Sequence, residues 1–381
     1  MTFSADDHRF MARALRLAER GLFTTDPNPR VGCVLVRNGE IVGEGWHRRA
    51  GEAHAERLAL AAAGDAATGA TAYVSLEPCS HHGRTPPCAK GLIEAGVARV
   101  VAAMTDPNPL VAGRGLAMLR EAGIVAEHGL LAADAESVNP GFLRRMRDGR
   151  PHVRCKLAMS LDGRTAMASG ESKWITSEAA RADVQRLRAR SSAIVTGIET
   201  VLADDPSMNV RLPADELPGV EHAEYLRQPL RVVLDTRLRM PPRARMLSLP
   251  GQTLVVCGES APQAIENELR DLGADVLRLP QLGGRLDLDQ LLMQLARREV
   301  NEVLIESGRT LAGSALSAGI VDELIVYMAP HLMGDAARGL VRLPGVERMA
   351  DRLDLEFGGA RQVGSDLRLA LRCKTVPRGV D

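Results

Sequence analysis

Apolar and polar positions along this chain follow two different periods, and the switches between them outline its elements. Apolar residues recur at helical spacing in HRFMARALRLAER, with Ser4 or Asp6 placed to cap the helix and Gly21 to end it. The runs VGCVLVR and EIVGEGWH are strand-like and flank Asn38-Gly39, the dipeptide of a two-residue hairpin turn. HAERLALAAAG returns to the helical period. ATAYVSLE reads as a buried strand that delivers a loop from Pro78 to Cys88, and CAKGLIEAG, ARVVAAM, GLAMLREAG and IVAEHG continue the alternation of helix and strand. Such alternation predicts an α/β sheet with helices on its faces.

After a basic helical stretch, GFLRRMRDGR, the pattern restarts at Pro151 with HVRCKLAMSLDGRTA, so the boundary is predicted at Asp148 to Pro151, giving domains 1–148 and 149–381. Strand-like runs recur at RVVLD, TLVVCG, ADVLRLP, EVLIESG and ELIVYMAP, with helical segments between most of them. The final RQVGSDLRLALRC alternates around Gly364-Ser365 and reads as a closing hairpin, which makes the second sheet mixed rather than purely parallel. A length of 381 residues suits two such domains, because single cores stop growing near roughly 250 residues.

Composition narrows the function classes. With 45% hydrophobic and 25% charged residues, the chain can bury sizeable cores. Lysine plus arginine equals aspartate plus glutamate at 48 each, and aromatics are only 3%, so neither a global basic field nor a set of stacking platforms advertises nucleic acid or an anionic membrane. No segment approaches the roughly 18 apolar residues of a membrane span, and MTFSADDHRF lacks the basic start and apolar stretch of a secretory signal, so a cytoplasmic protein is expected. Of six cysteines, Cys33, Cys155, Cys257 and Cys373 sit in or beside apolar strand-like runs, where a small buried thiol is the plain reading. Cys79 and Cys88 are the close pair in polar surroundings.

The loop PCSHHGRTPPC could be a disulfide loop, a structural zinc knuckle or part of a catalytic metal site. A reducing compartment disfavours the first. The adjacent His81 and His82 would have difficulty converging with both cysteines on one tetrahedron, which disfavours the second. Upstream, GEAHAER supplies His54 with Glu56 two positions on, and H-x-E followed by P-C is the zinc-deaminase signature. Residues two apart point roughly 200° from each other in a regular helix, so the pair can share a site only at a helix start; the apolar run beginning at Leu58 puts it there. The expected chemistry is zinc held by His54, Cys79 and Cys88, with Glu56 carrying the proton from water to the amino group leaving an aromatic ring carbon. Eight residues separate the cysteines where the common form has two. His81, His82 and Arg84 are left between gripping the substrate and shaping the loop.

The second half offers no G-x-G-x-x-G after its first strand, so a Rossmann dinucleotide site is not supported. EVLIESGRTLAGSAL is a strand, a glycine-containing turn and a helix start, a geometry that can present backbone N–H groups to a phosphate, although Gly308 could equally be an ordinary turn residue with Ser314 facing solvent.

At this point DPNPRVGCVLV, HAE, SLEPCSHHGRTPPC and TDPNP resemble the deaminase half of the bifunctional riboflavin-biosynthesis enzymes, in which the long cysteine spacing is a family feature. CKLAMSLDGRTAMASGESKWIT, VLADDPSMNVR and IESGRTLAGSAL resemble the fused reductase half. The resemblance covers nearly the whole chain. It implies a cytidine-deaminase-like three-layer α/β domain followed by a dihydrofolate-reductase-like domain, with Zn2+ and NADPH as cofactors. Its two implied steps are hydrolysis of the 2-amino group of a diamino-pyrimidinone ribosylamine 5'-phosphate and reduction of the ribosyl side chain to ribityl. It implies Asn28 as a pyrimidine contact; Ala158, Trp174, Thr200, Asp204 and Thr236 with Gly308, Arg309, Thr310, Leu311, Ala312, Gly313 and Ser314 on the NADPH side; and Ser172, Arg188, Arg211 and Glu306 on the substrate side, the two arginines as a clamp on the 5'-phosphate. A homo-oligomer, with a dimer favoured, completes the expectation. From the residues alone, Trp174 is as well read as core, Arg188 as a solvated helix position and Asn28 as a turn residue. A nucleic-acid deaminase fused to an unrelated domain and a non-enzymatic zinc-binding module are the alternatives; zero net charge counts against the first, and the second leaves Glu56 beside His54 unused.

Overall fold

The computed structural model describes residues 3–80 and 86–373. Its contacts divide the chain into one body made of 1–149 with 213–227, and another made of 150–212 with 228–381.

The first body runs α1 (Ala5–Glu19), β1 (Gly32–Arg37), β2 (Glu40–Trp46), α2 (Ala55–Ala63), β3 (Thr71–Val74), α3 (Cys88–Glu94), β4 (Arg99–Ala102), α4 (Arg114–Glu121), β5 (Val125–His128), α5 (Ala132–Val138) and α6 (Pro140–Asp148). Its five strands are ordered β2-β1-β3-β4-β5; β1 is antiparallel to both neighbours, and β3, β4 and β5 are parallel. Ser4 caps α1 through a reciprocal pair with Asp7, satisfying N–H groups that the first helical turn leaves without partners. Alternate residues of the strands feed two cores. Val34, Val36, Tyr73 and Val101 pack with α1, α5 and α6, while Cys33, Leu35, Ala72, Val74, Val100 and Ala102 pack with α2, α3 and α4. Strands covered on both faces are apolar throughout, which is why β1 reads as a continuous run. A Cβ on Gly43 or Gly45 of β2 would lie 2.3 or 2.4 Å from the backbone oxygens of Ala59 or Ala55, so these glycines let α2 lie directly on the strand. That seating fixes where the start of α2 points.

The second body holds β6 (His152–Ser160), β7 (Arg164–Ala166), α7 (Glu178–Arg190), β8 (Ala193–Gly197), α8 (Ile198–Asp204), β9 (Leu230–Leu234), α9 (Arg245–Ser248), β10 (Thr253–Gly258), α10 (Gln263–Asp271), β11 (Asp275–Leu279), β12 (Gln281–Leu282), β13 (Arg285–Leu286), α11 (Leu288–Arg297), β14 (Glu302–Glu306), α12 (Arg309–Ser317), β15 (Glu323–Ala329), β16 (Arg338–Gly339), β17 (Leu355–Val363) and β18 (Asp366–Cys373). Nine of these strands form a sheet ordered β11-β10-β9-β8-β14-β6-β15-β18-β17. It is parallel from β11 to β15, and the hairpin of β17 and β18 joins antiparallel, so the sheet is mixed. One face packs on α11 and α12 through Leu291, Leu295, Ala312 and Ala315, and the other on α7 and α8 through Val184, Leu187, Ile198 and Val201. Among the described residues, no helix is long and apolar enough to cross a membrane.

Candidate active sites

His54 is the N-cap of α2, in extended backbone, and Glu56 is the second helical residue. The change from extended to helical backbone between them lets both side chains serve one site, which a helix interior would forbid. Cys79 follows β3 closely, and Cys88 opens α3. The ligand atoms of His54, Cys79 and Cys88 all lie within 4.8 Å of one another; His54 Nδ1 is 3.6 Å from Cys79 Sγ and 3.3 Å from Cys88 Sγ. The Cys88 backbone N–H donates to Cys79 Sγ at 3.3 Å. That hydrogen bond, together with those from the Cys88 thiol and His54, draws the Cys79 thiol down to about 4, the Cys88 thiol contributing most.

Glu56 is 3% exposed and its Oε2 has no hydrogen-bond partner among the described residues. Burial, reinforced by the negative charge of Cys79, pushes its carboxyl up to about 6. A buried carboxylate oxygen without a partner is costly unless something completes it. Together with one imidazole and two sulfurs it fits a zinc ion and its water, three protein ligands and an open position being the arrangement of a catalytic zinc.

The loop between β3 and Cys79 is held by Glu77, whose buried carboxylate accepts backbone N–H groups from Asp106, Gly113, Gly115 and Leu116 at 2.9 to 3.2 Å. A Cβ on Gly115 would lie 1.9 Å from the Pro78 oxygen, so only glycine permits this approach. Sequence reasoning missed Glu77 and also His47. The His47 Nδ1–H donates to the Ala53 carbonyl at 3.1 Å, which leaves Nε2 to accept from Asn28 Nδ2 at 3.0 Å. Its ring meets the His54 ring edge-on at 5.2 Å, and burial lowers it to about 4, keeping it neutral. Its signal in GWHRRAG was faint, being a histidine at the end of a strand-like run. His81, His82 and Arg84 lie outside the described residues.

In the second body a cavity of about 920 Å³ opens at the carboxyl ends of the parallel strands, where ligands of open α/β sheets bind. Its wall includes Ala158, Ser172, Arg188, Thr200, Asp204, Thr236 and Glu306, with Gly308, Arg309, Thr310, Leu311 and Ser314 from the run entering α12. Ala312 and Gly313 are buried outside that wall; a Cβ on Gly313 would lie 2.0 Å from the Arg342 oxygen, so its glycine serves backbone packing. Trp174 is neither core nor wall: it is 70% exposed, with the Arg181 guanidinium 4.5 Å from its ring. Arg211 also lies outside the wall, its guanidinium donating to Asn209.

Arg188 is not a solvated helix position. It makes a two-pronged, largely buried pair with Glu306, at 2.6 and 2.9 Å. The structure thus joins residues that the sequence offered as separate substrate contacts. Arg211 is near enough that Arg188 helps lower its pKa, after burial itself. Lys156, which sequence reasoning passed over inside an apolar strand, lines the same cavity; burial lowers its pKa, and Arg188 lowers it further against Glu306. Gly308 is the N-cap of α12 without a side-chain capping bond, which leaves the first N–H groups of the helix for a ligand. Arg239, Arg285 and Arg309 add cations to the wall, and this suits a polyanionic dinucleotide.

Fold and sites together define a zinc-dependent deaminase body and an α/β reductase body in one chain. The cytidine and deoxycytidylate deaminase zinc-binding region family matches residues 4–104, and the RibD C-terminal domain family matches 151–369. The chain is 56% identical to riboflavin biosynthesis protein RibD of Escherichia coli over 96% of its own length and 99% of the relative's, and 52% identical to that of Haemophilus influenzae over the full length of both. It superposes on Acinetobacter baumannii RibD with a TM-score of 0.89 at 47% identity, covering 97% of this chain and 99% of that one. A Thermotoga maritima diaminohydroxyphosphoribosylaminopyrimidine deaminase/5-amino-6-(5-phosphoribosylamino)uracil reductase gives a TM-score of 0.81 at 30% identity over 97% of this chain and 99% of its own. The chain belongs to the RibD family of bifunctional riboflavin-biosynthesis enzymes, with a zinc deaminase and an NADPH-dependent reductase in sequence.

Proposed function

We propose that residues 1–148 deaminate 2,5-diamino-6-(5-phosphoribosylamino)pyrimidin-4(3H)-one and that residues 149–381 reduce the product to 5-amino-6-(5-phosphoribitylamino)uracil. The observation that carries the reading is the convergence of His54, Cys79 and Cys88 beside a buried carboxylate with an uncompleted oxygen. Held by these three ligands, zinc supplies a Lewis acid that makes a water molecule acidic near neutral pH. Glu56 takes the proton from that water and delivers it to the 2-amino nitrogen; a C–O bond forms at the ring carbon, the C–N bond breaks, and ammonia leaves. Asn28 and His47 are the proposed pyrimidine contacts, since their hydrogen bond orients both beside His54.

In the reductase, NADPH supplies a hydride. Gly308 to Ser314 form its pyrophosphate cradle, and Ala158, Thr200, Asp204 and Thr236 line its path. Trp174 and Arg211 are proposed to reach their ligands from the cavity margin. Ser172 and the Arg188–Glu306 pair face the ribosyl phosphate. As hydride reaches the sugar carbon, the ring oxygen needs a proton, and Lys156, a half-buried cation on the cavity wall already biased toward releasing one, is the proposed donor.

A cytoplasmic location agrees with six cysteines of which none is joined in a disulfide. A homodimer is supported by β17, an edge strand exposed along nearly its whole length with Phe357 75% exposed, since open edges invite pairing. Sedimentation should give twice the chain mass.

The deciding experiment compares ammonia release from the diaminopyrimidine ribosylamine phosphate by the parent protein and Glu56→Gln, both zinc-loaded. A fall of about 10²–10⁴-fold is expected for Glu56→Gln. An inert parent would refute the substrate, and a fully active variant would refute the proton carrier.

A further inference from the structure

The segment Pro213–Arg227 leaves the reductase half of the chain after Leu212 and returns at Gln228, yet its contacts group it with the deaminase body. Two side chains anchor it, Leu217 at 2% and Val220 at 8% exposure. Between them Gly219 sits at φ +83°, and a Cβ there would lie 2.0 Å from the Arg20 backbone oxygen, so the segment runs hard against the end of α1. Glu221 then takes one guanidinium on each oxygen: Arg20 Nη2 at 3.2 Å on Oε1 and Arg48 Nη1 at 3.1 Å on Oε2. The Arg49 guanidinium lies 5.4 Å from the Tyr225 ring, which His222 meets edge-on, and Arg227 reaches Asp26 at 3.5 Å.

Apart from Arg20, these contacts fall on two short stretches. Asp26 stands two residues before Asn28, and Arg48-Arg49 directly follow His47. Asn28 and His47 are the hydrogen-bonded pair beside His54. We propose that segment 213–227 is a strap that positions Asn28 and His47 for the pyrimidine, making Glu221, Tyr225 and Arg227 positioning residues for deamination although the reductase half of the sequence supplies them. The inference rests on Asn28 and His47 being the pyrimidine contacts. Exposed ion pairs are individually weak. The strap acts as a unit because burial of Leu217 and Val220 fixes it while three separate contacts hold the two stretches that carry the pair. None of these contacts falls on Glu56, His54, Cys79 or Cys88, so substrate binding rather than proton transfer should depend on the strap.

The test uses the full chain carrying Glu221→Ala, Tyr225→Ala and Arg227→Ala together, assayed for ammonia release from the diaminopyrimidine ribosylamine phosphate. KM should rise about tenfold while kcat stays within about twofold. Zinc content and NADPH oxidation should match the parent. The conservative set Glu221→Asp, Tyr225→Phe and Arg227→Lys should recover most of the KM. Asn28→Ala is the control for the underlying reading. If it raises KM while the strap variant keeps the parental KM, the strap has no positioning role. If Asn28→Ala leaves KM unchanged, the pyrimidine contact itself is wrong and the inference goes with it. Loss of zinc, or a fall in kcat that the conservative set does not recover, would make the segment a general support and overturn the proposal.

Discussion

The deaminase centre and the reductase cavity are assembled from very different amounts of chain. The three candidate ligands and the proposed proton carrier of the first fall between His54 and Cys88, on two helix starts and in the loop after β3. The wall of the second draws on residues from Lys156 to Leu340, with the carboxyl ends of several parallel strands contributing. A metal demands a few donors of fixed type at fixed distance, so the chemistry constrains residue identity tightly and a short motif is diagnostic. An extended dinucleotide and a sugar phosphate demand a long envelope, much of it backbone, so many residue types serve and no short motif is compulsory. The two regions therefore differ in how locally they can be disabled.

Metal removal should separate them most completely. Dialysis against a strong zinc chelator is expected to abolish ammonia release while NADPH oxidation by the pre-formed deaminated intermediate continues at the parental rate. A matching loss of both activities would break the picture of independent sites. Next in size, Lys156→Met keeps the unbranched shape of the half-buried side chain but removes its ammonium; NADPH oxidation should fall by about 10²-fold or more, with ammonia release untouched. A loss of less than about fivefold would remove Lys156 as the donor.

The smallest expected effect concerns acid stability. Burial would raise the Glu323 carboxyl, but His152 and Arg154 outweigh it and hold the group at about 2, below the ordinary 4.5. A depressed pKa means stability that is present above pH 4.5 and is lost as pH falls through 2. The difference of about 2.5 units corresponds to roughly 3 kcal/mol, all of it in the reductase body. Calorimetry of Glu323→Gln should therefore show a shallower decline of melting temperature between pH 4.5 and 2 than the parent. An unchanged slope would place the acid sensitivity elsewhere, the deaminase body having its own candidate in Asp7, where Arg99, Ser4 and Tyr73 overcome burial and hold the carboxyl far down.

How far the sequence could be read follows the same division. The helix capped at Ser4, the hairpin turn at Asn38-Gly39, the helix start at His54 and the closing hairpin at Gly364-Ser365 all stand where periodicity and turn chemistry put them. Each of those signals is local. Arg188 and Glu306 could not be seen as partners, because 118 positions separate them and only the packing of α7 against the end of β14 brings them together. Lys156 was hidden for a related reason: inside an apolar strand it looks like an exception in a core, and only the position of β6 beside the cavity gives it a use.

By itself, then, the amino-acid order determined the cluster of candidate metal donors with Glu56 beside it, the elements that present them and the two-part α/β plan, since all of these depend on residues near one another in sequence. Tertiary structure alone decided that His47 turns its ring to Asn28, that Glu77 ties the loop before Cys79 to the start of α4, and that Pro213–Arg227 groups with the body that precedes it. Those are pairings across long loops. Their closing entropy is met by burial summed over whole elements, a quantity that no short stretch of sequence reveals.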